Sequence, residues 1–313
     1  MNHQGSVSRL QRISRTVTDI AKAVMFYTDA LDFKQKTEAT ILDPAWAELL
    51  GIRGAHLQSI ILQLGSQELE LIAFDPPGCG YPANSSTTDL WFQHIAVVVA
   101  DMDAAYLQLN HTPLSPISQG GPQHLPPNTG SVIAFKFRDP DGHPVELIHY
   151  PLGVGNPIWQ QSSSRLFLGI DHSAIAIADT ERSIDFYTRL LGFKLGSKST
   201  NTGSAQSRLD CARDVRVVVV ALHPESNTPP HIELLHYEQP AGRPIPAGLK
   251  ANDVAADRVV LQVHDLPRLT DSLVARNVEF ISPGIVNLSR NQRAALIKDP
   301  TGHLLLLMDT QHS

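Results

Sequence analysis

Four times along the chain a short strand-like stretch rich in apolar residues runs into an aspartate, and an amphipathic stretch follows. RISRTVTD leads into 19–31, HIAVVVAD into 101–110, HSAIAIAD into 179–191 and RVVLQVHD into 265–277. A period of two places successive side chains on opposite faces of a strand. The aspartates at 19, 101, 179 and 265 stand where a helix N-cap belongs, because a short carboxylate can accept from the free amides of a first turn. Further alternating runs, SIILQLG and RVVVVAL among them, read as strands after the helices. The pattern predicts four βαβββ modules in a row.

The modules repeat at long range. DIAKAVMFYTDALDFK (19–34) returns as DTERSIDFYTRLLGFK (179–194), and Asp-Pro-x-Gly-His begins at both 139 and 299, each a shift of 160. LELIAFD (69–75) matches IELLHYE (232–238), and HIAVVVADMDAAYLQL (94–109) matches RVVLQVHDLPRLTDSL (258–273), shifts of 163 and 164. A nearly constant shift over the whole length means two homologous halves. They are 1–152 and 165–313, each of two modules, joined by a Pro/Gly/Ser-rich linker at 153–164.

Composition narrows the functional classes. The net charge is −6 with no basic block, which argues against nucleic acid as a partner. No apolar run reaches the roughly 18 residues that would span a membrane, and MNHQGSVSRLQR lacks the apolar core of a signal peptide. A cytoplasmic protein, monomeric or homodimeric, is the expectation. Cys79 and Cys211 are the only cysteines, too few for a disulfide framework or a cysteine zinc site. Any metal would be held by histidine and carboxylate.

The FYT-containing helix with its Leu-Gly-Phe-like end, and DPDGHPVEL, resemble the vicinal oxygen chelate superfamily, which includes glyoxalase I, fosfomycin resistance proteins, bleomycin resistance proteins and extradiol dioxygenases. The resemblance covers nearly the whole chain. It implies an α+β fold whose four βαβββ modules, in two tandem halves, pair into two curved-sheet barrels. It also implies a metal cleft between two paired modules, with ligands from the first and last strand of each.

At the first-strand position the four modules carry Arg12, His94, His172 and Arg258; at the last-strand position they carry Glu70, Glu146, Glu233 and Leu306. If modules two and three pair, one cleft collects His94, Glu146, His172 and Glu233. The other is left with two guanidiniums, one carboxylate and a leucine, and a guanidinium cannot ligate a metal. Pairing within each half would give no plausible metal site. The expectation is therefore pairing across the halves, with one cleft kept and its duplicate lost. In the lost cleft Glu70 would pair with Arg12 or Arg258, unless the two arginines bind an anionic effector.

Two histidines and two carboxylates suit one divalent ion of borderline character: Zn, Ni, Co, Mn or Fe. Ala96 and Ala174, two positions beyond the histidines, would leave room for a substrate. His231 and Tyr237 would face the same cleft. His143 and His303 recur in both halves, including the one with the lost acid, and read as turn residues. The loop 113–131 is long and Pro/Gly-rich, the kind of segment that forms lids or disordered insertions.

Resemblance to glyoxalase I implies a metal-dependent lyase or isomerase acting on a small carbonyl substrate with vicinal oxygens, with Glu146 also serving as base. An extradiol-type Fe(II) dioxygenase would need only His94, His172 and Glu146. A metal-free small-molecule binding or resistance protein would be expected to line its cleft with aromatics, and aromatic content here is 6%.

Overall fold

The structure, a computed structural model, describes residues 6–109, 111–112 and 114–310. The first five residues of the N-terminal stretch, residue 110 of the second predicted helix and residue 113 of the predicted loop lie outside the described residues.

All four helices begin at their aspartates. Asp19, Asp101, Asp179 and Asp265 accept from the backbone amides of Lys22, Ala104, Arg182 and Arg268 at 3.0–3.1 Å. The helices are Ile20–Leu31, Met102–Leu109, Thr180–Asp185 and Leu266–Ala275, the third continuing with wider π winding over Phe186–Leu190. Two further helices, Ala45–Leu49 and Gly203–Leu209, are too short for periodicity to signal.

The modules pair across the halves. In the first sheet, module one joins module four where strand Val7–Thr16 runs antiparallel to Arg258–Val263. In the second, module two joins module three where Gln93–Val99 runs antiparallel to Phe167–Ala176. Within every module the first strand lies parallel to the last. Among the described residues each sheet has nine strands and runs open from edge to edge, so the expected barrels are curved sheets that do not close.

The alternation then sorts the faces. Ile13, Val97, Ile175 and Leu261 join the buried helix faces, including Phe26, Tyr27, Phe186 and Tyr187, in one core shared by both sheets. The opposite face of the first sheet is also apolar: Trp46, Leu57, Phe74, Val260, Leu296, Leu306 and Met308 fill it. The opposite face of the second sheet carries His94 and His172.

The two repeated motifs bind each other. The hydroxyl of Tyr27 donates to Asp139 at 2.7 Å, and that of Tyr187 to Asp299 at 3.1 Å. Each aspartate also accepts amides of its own turn, such as those of His143 and His303 at 2.9 Å. Gly142 and Gly302 take φ of 98° and 115°, which disfavour a side chain. His143 bridges Asp139 to the carbonyl of Val254, and His303 donates to the carbonyl of Ala176, at 3.0 and 2.7 Å. Both turn histidines thus tie modules together, away from the second sheet's open face.

Candidate metal centre

Register builds the site. Across the second sheet Lys136 pairs with Glu146, Glu146 with Ala96, Ala96 with His172, and His172 with His231. The neighbouring rung reads His94, Ala174, Glu233, Ala221. Alanine alternates with ligand-type residues, so large side chains converge over small ones. Neither Ala96 nor Ala174 lines the cavity: both are fully buried in the floor beneath the imidazoles. His231 and Tyr237 are in the wall.

His94, Glu146 and His172 each offer a ligand atom, all within 4.8 Å of one another. Their residues are 1%, 6% and 2% exposed, in a position where an uncompensated charge would be costly. Glu233 stands outside that tight group. Its Oε2 lies 3.5 Å from Nε2 of His172, and its side chain is 23% exposed. A second close group, Asp171, His172 and His231, shares His172.

The donor set fits a divalent cation. Nε2 of His94 is 2.7 Å from Oε2 of Glu146, yet at an angle that makes no hydrogen bond, and Nδ1 of the same ring also lacks a partner. An imidazole nitrogen and a carboxylate oxygen this close and this poorly aligned make an arrangement that a shared cation would relieve. His172 is held from behind: Nδ1 meets Oδ2 of Asp171 at 2.9 Å, which leaves Nε2 facing Glu146 and Glu233. Asp171 is fixed in turn by the Tyr150 hydroxyl at 2.8 Å and the Trp159 indole N–H. Sequence reading missed this support. Tyr150 ends module two, Trp159 lies in the linker, and only the fold brings both to Asp171.

The electrostatics agree with this placement. Burial pushes the His94 pKa down more strongly than Glu146 raises it, which keeps that ring neutral and ligand-competent. Burial also opposes charge on His172, but Glu233, Asp171 and Glu146 outweigh it and raise its pKa to about 9. The potential that favours a proton there equally favours a metal cation. Burial raises the Glu146 carboxyl; Lys136, His94 and His172 overcome this and hold it at about 2.

The group opens on a cavity of about 660 Å³. Leu125, Asn128, Thr129 and Gly130 of the long loop form one wall, so that loop is folded against the site. It carries the short strands Ser115–Pro116 and Gln123–His124. The linker contributes Val154, Gly155, Asn156 and Pro157.

The duplicate cleft is filled. Arg258, fully buried, donates to the Ser14 and Thr16 hydroxyls and to the carbonyls of Ala251 and Ala256 at 2.8–3.3 Å. Arg12 pairs with Glu70 at 3.5 Å, and Leu306 is packed in the second apolar cluster. Burial raises the Glu70 carboxyl, but Arg12, Ser14, Arg258 and Ser59 bring it below its ordinary value.

Residues 9–147 and 169–307 each match the Glyoxalase/Bleomycin resistance protein/Dioxygenase superfamily. Among solved structures, glyoxalase I from Zea mays aligns with a TM-score of 0.60 at 17% identity, covering 96% of this chain and 92% of its own. A putative dioxygenase from Bacillus subtilis aligns at 0.59 and 12% identity, covering 98% and 87%. No curated protein sequence matches the chain. At these identities the solved structures speak for the fold alone. No helix among the described residues is long and apolar enough to cross a membrane. The two family matches account for most of both halves, and the chain belongs to the Glyoxalase/Bleomycin resistance protein/Dioxygenase superfamily.

Proposed function

We propose that this protein is a divalent-metal-dependent enzyme of the glyoxalase I type, a lyase or isomerase that moves a proton next to a carbonyl in a small substrate with vicinal oxygens. The observation that carries the reading is the convergence of His94, Glu146 and His172 within 4.8 Å at a cavity, with Nδ1 of the buried His94 unpartnered and its Nε2 2.7 Å from Glu146. His94, Glu146 and His172 would hold the ion with Glu233 at its looser side, and Asp171 fixes the ring of His172. When bound, the ion supplies a Lewis acid that polarises a carbonyl oxygen.

The base is Glu233 in this reading, rather than Glu146 as the resemblance first suggested. Glu146 is wedged between His94 and the Lys136 rung, and its side chain is 8% exposed. Glu233 stands looser, faces the cavity and is 23% exposed, so it can reach a substrate proton without dismantling the tight group. Val217, Val219 and Leu235 make that wall partly apolar.

A second reading has its own support. The tight group alone is two histidines and one carboxylate, the set used by Fe(II) oxygenases. Elemental mass spectrometry of the wild type, His94→Ala and His172→Ala separates the cases. About one ion per chain, lost in either variant, is the expected result. Zinc, nickel, cobalt or manganese with proton exchange on α-ketoaldehydes supports the isomerase. Iron with oxygen uptake on catechols supports the dioxygenase. No ion after reloading, or an ion indifferent to either substitution, would falsify the shared centre.

A further inference from the structure

One buried cation in the cavity wall is not a metal ligand. Lys136 is 3% exposed and pairs in register with Glu146. In the other modules the residue opposite the last-strand position is Ile61, Ala221 or Leu296. Only module two puts a cation there, so the fold does not require one.

Nζ of Lys136 meets Oδ1 of Asp210 at 2.6 Å, and the Phe92 ring closes one side with its centroid 5.9 Å away. Burial works against the ammonium, but Asp210, Tyr237 and Glu146 hold it protonated. An ammonium has three donors, and among the described residues Asp210 is its only hydrogen-bond acceptor. Oδ2 of Asp210 is already taken by the Gln206 amide at 2.7 Å. Beside this pair the Tyr237 hydroxyl, in a residue 5% exposed, lies near Asp210 but outside hydrogen-bond geometry. Lys136, Gln206 and Tyr237 all line the cavity.

A structural strut would not leave donors unsatisfied at a cavity. Buried polar groups without partners are costly, and an apolar pair of similar volume would serve as well. An acceptor brought by the cavity's occupant would satisfy both residues. A carboxylate offers about four lone-pair sites on two oxygens and can span two donors.

We propose that the Lys136 ammonium and the Tyr237 hydroxyl form a carboxylate-binding subsite beside the metal corner, so that the substrate is an acidic small molecule bearing a carboxylate beyond its vicinal oxygens. This rests on the metal-centre reading, because the vicinal oxygens anchor the other end.

Hydroxamates test it, since they supply two vicinal oxygens to a metal without turnover. Zinc-loaded protein is titrated calorimetrically with the monohydroxamate of succinic acid and with butanohydroxamate, which share a chain length and differ by the carboxylate. The acid should bind about 10- to 100-fold more tightly, the range of a charge-assisted hydrogen bond. Lys136→Met alone leaves Asp210 buried and unpaired, so Lys136→Met/Asp210→Asn is the folded comparison. In the double variant the advantage should vanish with zinc content unchanged, and Tyr237→Phe should reduce it several-fold. Equal binding of the two hydroxamates by the wild type, or an advantage that survives the double substitution, overturns the subsite and leaves the metal reading intact. Zinc lost in the double variant also overturns it, marking the pair as support for the metal corner. Wild-type protein that keeps no zinc and binds neither compound overturns the metal reading, and the subsite with it.

Discussion

Glu146 and His172 flank Ala96 in a single rung of the second sheet, Glu146 in parallel register from its own module and His172 in antiparallel register from the other half of the chain. A ligand pair is thus assembled by strand pairing rather than by loops. A methyl group between them leaves room for their longer side chains to converge. The same rung continues to Lys136 on one side and His231 on the other.

The support behind His172 should be measurable apart from the ligands. Asp171→Asn keeps the size but removes the charge that fixes Nδ1. We expect metal affinity to fall about 10- to 100-fold, read by competition with a chromophoric chelator. The circular dichroism of the sheets should be unchanged. An affinity equal to wild type would mean that Asp171 does not orient the ring.

The filled cleft makes the opposite prediction. Arg12→Ala removes the guanidinium that pairs with Glu70, both of them buried, and leaves the carboxylate with Ser14, Ser59 and the more weakly acting Arg258. Urea unfolding should show a loss of about 3 kcal/mol, with metal content unchanged. Loss of metal in this variant would mean that the two clefts are not independent.

Tyr27 and Tyr187 occupy the same place in the repeat with different surroundings. Tyr27 accepts from Arg15 at 2.6 Å and donates to Asp139 at 2.7 Å, whereas Tyr187 donates to Asp299 at 3.1 Å. Tyr27→Phe should therefore destabilise more, by about 2–3 kcal/mol against about 1 kcal/mol for Tyr187→Phe. Equal losses in denaturant titrations would contradict this ordering.

His143 predicts a pH dependence. Both ring nitrogens face acceptors, Asp139 at 3.0 Å and the Val254 carbonyl at 3.0 Å, so the ring is a charged double donor. Burial opposes that charge, and Asp139 with Asp257 outweighs it, raising the pKa above the ordinary 6.5. A raised histidine stabilises fully below its unfolded value and loses the contribution as pH climbs through the folded one. Its partner behaves inversely. Burial raises the Asp139 carboxyl, but His143, Arg15 and Tyr27 hold it at about 2, so its contribution is present above about 3.8 and lost as pH falls towards 2. The stability gap between wild type and His143→Gln should be widest between these limits and shrink above pH 6.5. A gap constant from pH 5 to 9 in urea titrations would refute the charged ring.

The sequence by itself determined the modules, their helix starts and the candidate ligands. The reason is duplication: Asp19 and Asp179, or Asp139 and Asp299, are the same local solution written twice, and each cap or turn closes within a few residues. Pairing across the halves was legible too, because His94, Glu146, His172 and Glu233 make a metal-compatible set only that way, and the strand register agrees. The tertiary structure alone decided what surrounds those residues. Tyr150 and Trp159 meet Asp171, and Lys136 meets Asp210 from 74 positions away, with no second copy of the contact to reveal it. Such contacts leave no periodicity in the chain, since a side chain's partner across a sheet depends on register and curvature. For the same reason the looser stance of Glu233, the burial of Ala96 and Ala174 beneath the ligands and the apolar filling of the duplicate cleft emerge only once the sheets are assembled.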